Sequence, residues 1–232
     1  KKIIKNISDW LKNYCLKSQT KGFVVGVSGG VDSAVTSTLC AKSGLPVLCL
    51  DLPIYQSNEE QNRALNHLKW LKERFPNVSF KSIDLSKTFS SFENSVDLNS
   101  NQNNLLSLAN SRSRLRMTTL YYYAGLNNSL VAGTGNKVED FGIGFYTKYG
   151  DGGVDISPIA DLYKTEVFEI AKELEIISDI IKAKPTDGLW DDKRSDEDQI
   201  GATYKELEWA MKEKDFGNKS FEYSGREKEV FE

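Results

Sequence analysis

A chain of 232 residues with 39% apolar side chains can build one α/β domain with a sizeable core. No apolar run approaches the roughly 20 residues of a membrane span, so a membrane protein is excluded on that count. A net charge of −3 with dispersed Lys and Arg provides no basic stripe for a nucleic-acid backbone.

The N-terminal stretch Lys1–Trp10 reads as an amphipathic helix and not as a signal peptide. Cys15, Cys40 and Cys49 lack C-x-x-C spacing and are expected to be reduced core thiols of a cytoplasmic protein. Phe23–Val27 reads as a buried parallel strand that empties into Ser28-Gly-Gly-Val-Asp-Ser33, and Ala34–Lys42 as a helix. A strand, a glycine pair and a helix N-terminus in that order make an anion site. The glycines let the backbone approach a phosphate, and the first helical N–H groups point at it. Ser28 and Ser33 add hydroxyls. Asp32 beside a polyanion predicts a magnesium ion between carboxylate and phosphates. The loop is neither G-x-x-x-x-G-K-[ST] nor G-x-G-x-x-G.

Further strands are predicted at Pro46–Leu50, Ser79–Asp84 and Ser129–Ala132. Asn58-Glu-Glu-Gln61 resembles a capping box that opens a helix running to Phe75, where Pro76 stops it. His67, the single histidine, is a solvated or packed residue of that helix. Alternating strands and helices with short connections predict a doubly wound parallel sheet with helices on both faces. Its ligands should sit beyond the carboxyl ends of the strands. Asp97–Asn104 is a polar loop or helix entry, residues 186–198 form a charged loop around Trp190, a helix starts near Thr203-x-x-Glu206, and the last ten residues are expected to fray.

Asn110-Ser-Arg-Ser-Arg-Leu-Arg-Met117 lies on a helix, with Arg112 and Arg116 on one face and Arg114 elsewhere. It is either a solvated basic face or, given its apolar flanks, a set of anion partners. Gly133-Thr-Gly-Asn-Lys-Val-Glu139 follows the fourth strand. Thr134 is placed to bond a nucleotide, and Glu139 is either surface or a second magnesium ligand facing Asp32. Phe145–Pro158 gathers aromatics, Lys148, Asp151, Asp155 and glycines, and by composition fits a structured turn as well as a binding loop.

Ser28–Ser33 resembles the pyrophosphate loop of the ATP pyrophosphatases. Together with Asn110–Met117, Gly133–Glu139, Thr147–Gly153, Lys184-Pro-Thr186 and Ser195–Tyr204, the chain resembles the ammonia-dependent NAD synthetases over roughly residues 22–204. The stretch between Glu139 and Thr147 is slightly longer than in many members, and the His-Lys pair with which members tend to end is not among these residues.

The resemblance implies an adenine nucleotide alpha-hydrolase-like fold, one synthetase domain over residues 1–232 with no glutaminase domain, and a homodimer. The implied activity is ATP-dependent amidation of deamido-NAD by ammonia through an acyl adenylate, with magnesium as cofactor and no nucleic-acid or membrane partner. It implies that Gly26, Val27, Ser28, Gly29, Gly30, Val31, Asp32 and Ser33 hold the ATP phosphates, and that Thr134, Lys164 and Thr186 contact ATP. Asp32 and Glu139 would ligate magnesium. Arg114, Lys148 and Asp155 would contact deamido-NAD. Asp151 would bind ammonium and take its proton, and Asp32 and Lys164 would be catalytic. Gly150–Gly153 and the Trp190 loop are the lid candidates. Rival readings are another ATP pyrophosphatase, such as a tRNA-modifying ligase, or a non-catalytic adenine-nucleotide-binding protein.

Overall fold

The computed structural model describes residues 1–96, 102–185 and 195–232, with residues 102 and 103 as backbone only. The order is α1 (Lys2–Lys17), β1 (Phe23–Gly26), α2 (Val31–Lys42), β2 (Val47–Asp51), α3 (Asn58–Arg74), β3 (Val78–Ser82), α4 (Ser86–Glu93), α5 (Gln102–Asn127) and β4 (Leu130–Val131). A π-helical turn (Lys137–Ile143) follows, then α6 (Lys164–Glu173), α7 (Ser178–Lys182), α8 (Asp196–Ile200), α9 (Tyr204–Asp215), a 3-10 turn (Ser220–Glu222) and α10 (Gly225–Phe231).

The strands form a parallel sheet in the order β3-β2-β1-β4. Strand alternation sorts β1 between two layers. Phe23 and Val25 face α1, α2, α3 and α6 through Leu11, Leu39, Leu68 and Val167. Val24 faces α4 and α5 through Phe89, Leu120 and Ala124. Burial of a Leu39-sized side chain contributes about 1.5–3 kcal/mol. The sheet is therefore covered on both faces, as the βα alternation predicts. The chain leaves β1 toward β2 on one side and β4 lies on the other, so the switch point is at β1 and β4.

Several boundaries differ from the sequence reading. Strand β1 ends at Gly26, β2 and β3 shift to Val47–Asp51 and Val78–Ser82, and β4 keeps only Leu130–Val131, because Ala132 bridges to Ile156 instead. Helix α2 starts at Val31, inside the glycine motif, so Asp32 and Ser33 belong to its first turn. The capping box of α3 is Ser57 with Glu60, one residue before the predicted start. Ser57 Oγ accepts from Glu60 N (3.4 Å), and Glu60 Oε2 accepts from Ser57 N (3.2 Å). The predicted Thr203/Glu206 cap is present.

The C-terminal residues do not fray. Phe231 is buried, Tyr223 stacks between it and Trp209, and Arg226 grips Glu206 through Nε (2.8 Å) and Nη2 (3.2 Å). Charge in the sequence hid one apolar anchor. The three cysteines are buried and unbonded to one another. His67 is fully buried in α3 and 3.0 Å from Ser37 Oγ. Ser37 gives its proton to Ala34 O, so His67 Nε2–H donates to it and Nδ1 is left without a partner. That burial pushes the imidazole down to about 4.

Candidate active site

A cavity of about 450 Å³ lies beyond the carboxyl ends of β1, β2 and β4. The whole predicted loop Gly26–Ser33 lines it, with Thr134, Glu139, Asp151 and Lys164. Gly29 has φ of +85°, and a methyl there would stand 2.8 Å from Glu60 O, so only glycine lets α3 close on the loop. Ser28 Oγ accepts from Gly30 N (3.2 Å), and Ser33 Oγ accepts from Ser28 N (3.2 Å) while donating to Gly30 O (3.0 Å). These bonds hold the loop open. Gly30 caps α2 with no side chain, which leaves the first N–H groups of the helix directed at the cavity.

Asp32 and Glu139 meet around one ammonium. Lys164 Nζ is 2.6 Å from Asp32 Oδ2 and 2.7 Å from Glu139 Oε1. Asn136 holds both partners: Nδ2 donates to Asp32 Oδ1 (3.2 Å), and Oδ1 accepts from Glu139 N (3.1 Å). The Tyr204 hydroxyl donates to Glu139 Oε1. Lys164 is the first residue of α6, where the helix dipole and burial both oppose a cation. Burial works against its charge, but Asp32 and Glu139 outweigh it and hold its pKa above the usual lysine range. Tyr204 is likewise kept neutral by burial and by Glu139 and Asp196.

Two hard oxygen donors around one cation position suit magnesium, which binds through one or two carboxylates and completes its shell with water and substrate phosphates. Among the described residues no cluster of three His, Cys, Asp or Glu forms a cage. The pair therefore fits a metal that arrives with phosphates.

Asp151 ties its loop to α5. Its Oδ1 accepts from Ser113 Oγ (2.6 Å) and Thr147 N (3.0 Å), and Ser113 Oγ accepts from Asp151 N (2.9 Å). Thr147 Oγ1 donates to Asn110 Oδ1 (2.6 Å). A methyl at Gly150 would collide with Ser113, so this close docking requires the glycine.

Arg114, Lys148 and Asp155 do not line the cavity. Arg114 is exposed on α5, and its Nε donates to Lys148 O (3.1 Å). The Lys148 ammonium lies 5.1 Å from the Tyr149 ring. Asp155 accepts from Val131 N (2.8 Å) and from the Tyr121 hydroxyl (3.0 Å). Thr186 and Trp190 lie outside the described residues, although Lys184 and Pro185 reach the cavity.

Sequence reasoning missed four cavity residues. Asp140 follows Glu139, and burial, then Asp151, Glu139 and Asp32, push its carboxyl up to about 7. Asp51 ends β2 and accepts from Ser82 Oγ (2.6 Å). Arg116, not Arg114, enters the cavity, donating to Leu52 O (2.9 Å) and Gln56 Oε1 (2.8 Å). Arg63 reaches the cavity from α3. The Arg112/Arg116 face was readable from spacing. The other three positions depend on how α3, β2 and the π turn dock.

Known proteins resemble this chain over most of its length. The family model described as NAD synthase matches residues 3–230. An NH3-dependent NAD+ synthetase of Finegoldia magna is 38% identical over 208 residues, covering 89% of this chain and 82% of that protein. The structure of an NMN synthetase from Francisella tularensis superposes with a TM-score of 0.84 at 32% identity, over 99% of this chain and 90% of that one. An NH3-dependent NAD synthetase from Campylobacter jejuni superposes with a TM-score of 0.78 at 29% identity, over 99% and 89%.

Proposed function

The chain belongs to the NAD synthase family, whose reaction is the ATP-dependent amidation of deamido-NAD, and from that premise we propose how its own residues carry the reaction. The observation that supports the assignment most is the convergence of the Gly26–Ser33 loop and the Asp32–Lys164–Glu139 group on one cavity. The loop N–H groups and Ser28 and Ser33 receive the ATP phosphates, and Thr134 and Thr186 contact the nucleotide. The nicotinate carboxylate attacks the α-phosphorus. The bond to the bridging oxygen breaks, pyrophosphate leaves, and an acyl adenylate remains. Ammonia then attacks the acyl carbon, and AMP departs with the C–O bond electrons.

Asp32 and Glu139 would hold magnesium, which when bound supplies positive charge against the departing pyrophosphate. Lys164, held between these carboxylates on the cavity wall, adds a fixed cation to the developing charge. Asp151 faces the cavity with one carboxylate oxygen committed to Ser113 and Thr147, and the other is the acceptor for ammonium. The Gly150–Gly153 loop shields the adenylate from water.

Arg114, Lys148 and Asp155 take the outer part of deamido-NAD along the exposed side of α5. Leu105, Leu106, Tyr122 and Leu126 are more than half exposed on the same helix, which supports a homodimer formed there, with the dinucleotide near the interface. Among the described residues no helix is long and apolar enough to cross a membrane.

The Francisella tularensis relative supports a second reading, in which nicotinate mononucleotide supplies the carboxylate that is adenylated. The ratio of kcat/KM for deamido-NAD over nicotinate mononucleotide decides between them. A ratio well above one supports the dinucleotide reading, and a ratio well below one replaces it with the mononucleotide.

A further inference from the structure

Arg63 stands in the second turn of α3, directly against the glycine loop. A methyl group at Gly29 would lie 3.2 Å from Arg63 Cβ and 3.0 Å from Ala64 N. The side chain lines the cavity. Its Nε is buried and has no hydrogen-bond partner. Among the described residues Arg63 makes no hydrogen bond or ion pair. Arg74 binds Glu175, Arg116 binds Leu52 O and Gln56, and Arg226 binds Glu206.

The carboxylates that could have neutralised it are engaged elsewhere. Glu60 closes the α3 cap with Ser57, Asp51 accepts from Ser82, and Asp32 and Glu139 share Lys164. A buried guanidinium donor without an acceptor is costly, so an acceptor that arrives with a ligand accounts for its retention. The planar guanidinium fork matches phosphate oxygens two at a time. The neighbouring surface is the free N-terminus of α2, which selects the same chemistry.

We infer that Arg63 binds the terminal phosphates of ATP and retains them as pyrophosphate when the α–β bond breaks. The reacting α-phosphate must face Asp151 and the nicotinate carboxylate, on the β4 side of the loop. Arg63 approaches across Gly29 from the opposite, β2 side, which the inference assigns to the leaving group. The inference rests on ATP being the ligand of this cavity, and it does not depend on which nicotinate nucleotide is amidated.

The test is calorimetric titration of the whole chain with inorganic pyrophosphate and, separately, with AMP. Arg63→Met is expected to weaken pyrophosphate about 10–100-fold, the value of a charged hydrogen-bond pair, while AMP affinity stays within about twofold. Arg63→Lys is expected to recover part of the loss and controls for folding. Unchanged pyrophosphate affinity in Arg63→Met overturns the inference. So does an equal loss for AMP, because that marks a residue that only shapes the cavity. Failure of the wild-type chain to bind pyrophosphate overturns the ATP reading itself.

Discussion

Lys164→Met should expose the energetics of the cation position. The Lys164 side chain is 3% exposed, against 17% for Asp32 and 13% for Glu139, so the substitution leaves two poorly solvated carboxylates facing one gap. Removing one partner of a buried ion pair costs about 3–5 kcal/mol. Both carboxylates keep some solvent and Asn136 and Tyr204 still donate to them, so the lower end, about 3 kcal/mol, is expected here. For a domain of this size each kcal/mol moves the midpoint by about 2–4 °C, which gives a fall of about 6–12 °C in EDTA at pH 8.

The deficit has two dependences that a simple packing loss lacks. With Asp32 and Glu139 as the proposed magnesium ligands, millimolar magnesium should restore most of the midpoint in the variant and change the wild type much less. The cost belongs to ionised carboxylates, so it should shrink as pH falls toward 4 and the pair takes up a proton. Thermal unfolding followed by circular dichroism, with magnesium or EDTA at pH 4.5 and 8, measures all three. A deficit equal in magnesium and EDTA and independent of pH would refute the reasoning.

Asp32→Ala should remain folded and lose pyrophosphate release, which full activity of the variant would contradict. Arg114→Ala should raise KM for deamido-NAD more than KM for ATP, because Arg114 stands outside the cavity beside Lys148; equal rises would move it to the ATP site. His67 is held at about 4 against an unfolded value near 6.5, so the unfolded chain binds the extra proton between those values. Stability should be complete above pH 6.5 and fall by up to about 3 kcal/mol as pH drops to 4, and His67→Gln should flatten that slope in urea titrations. Burial pushes the Cys49 thiol up to about 12 and also raises the Cys40 thiol well above the ordinary range, so Ellman's reagent should modify them only after unfolding.

The phosphate loop was legible because its chemistry is linear: Phe23 to Ser33 carries strand, glycine pair and helix start in one run. The layers were legible because Phe23, Val25 and Val24 alternate in a strand flanked by apolar helices. Lys164 was legible only through family resemblance, since it stands in an ordinary helical stretch far from Asp32 in sequence. Arg63 and Asp140 escaped for a related reason. Each looks like surface charge until α3 closes over Gly29 and the π turn folds back beneath Gly135, whose missing side chain leaves room for the Asp140 carboxylate. The C-terminal helix escaped because two adjacent apolar side chains, Val230 and Phe231, anchor it among many charges.

Pyrophosphate release with ATP, magnesium and ammonium, measured with and without deamido-NAD, addresses the central claim most directly. The account predicts release that requires deamido-NAD, with NAD formed in equal amount. Release that is indifferent to deamido-NAD, or none with either nicotinate nucleotide, would contradict it.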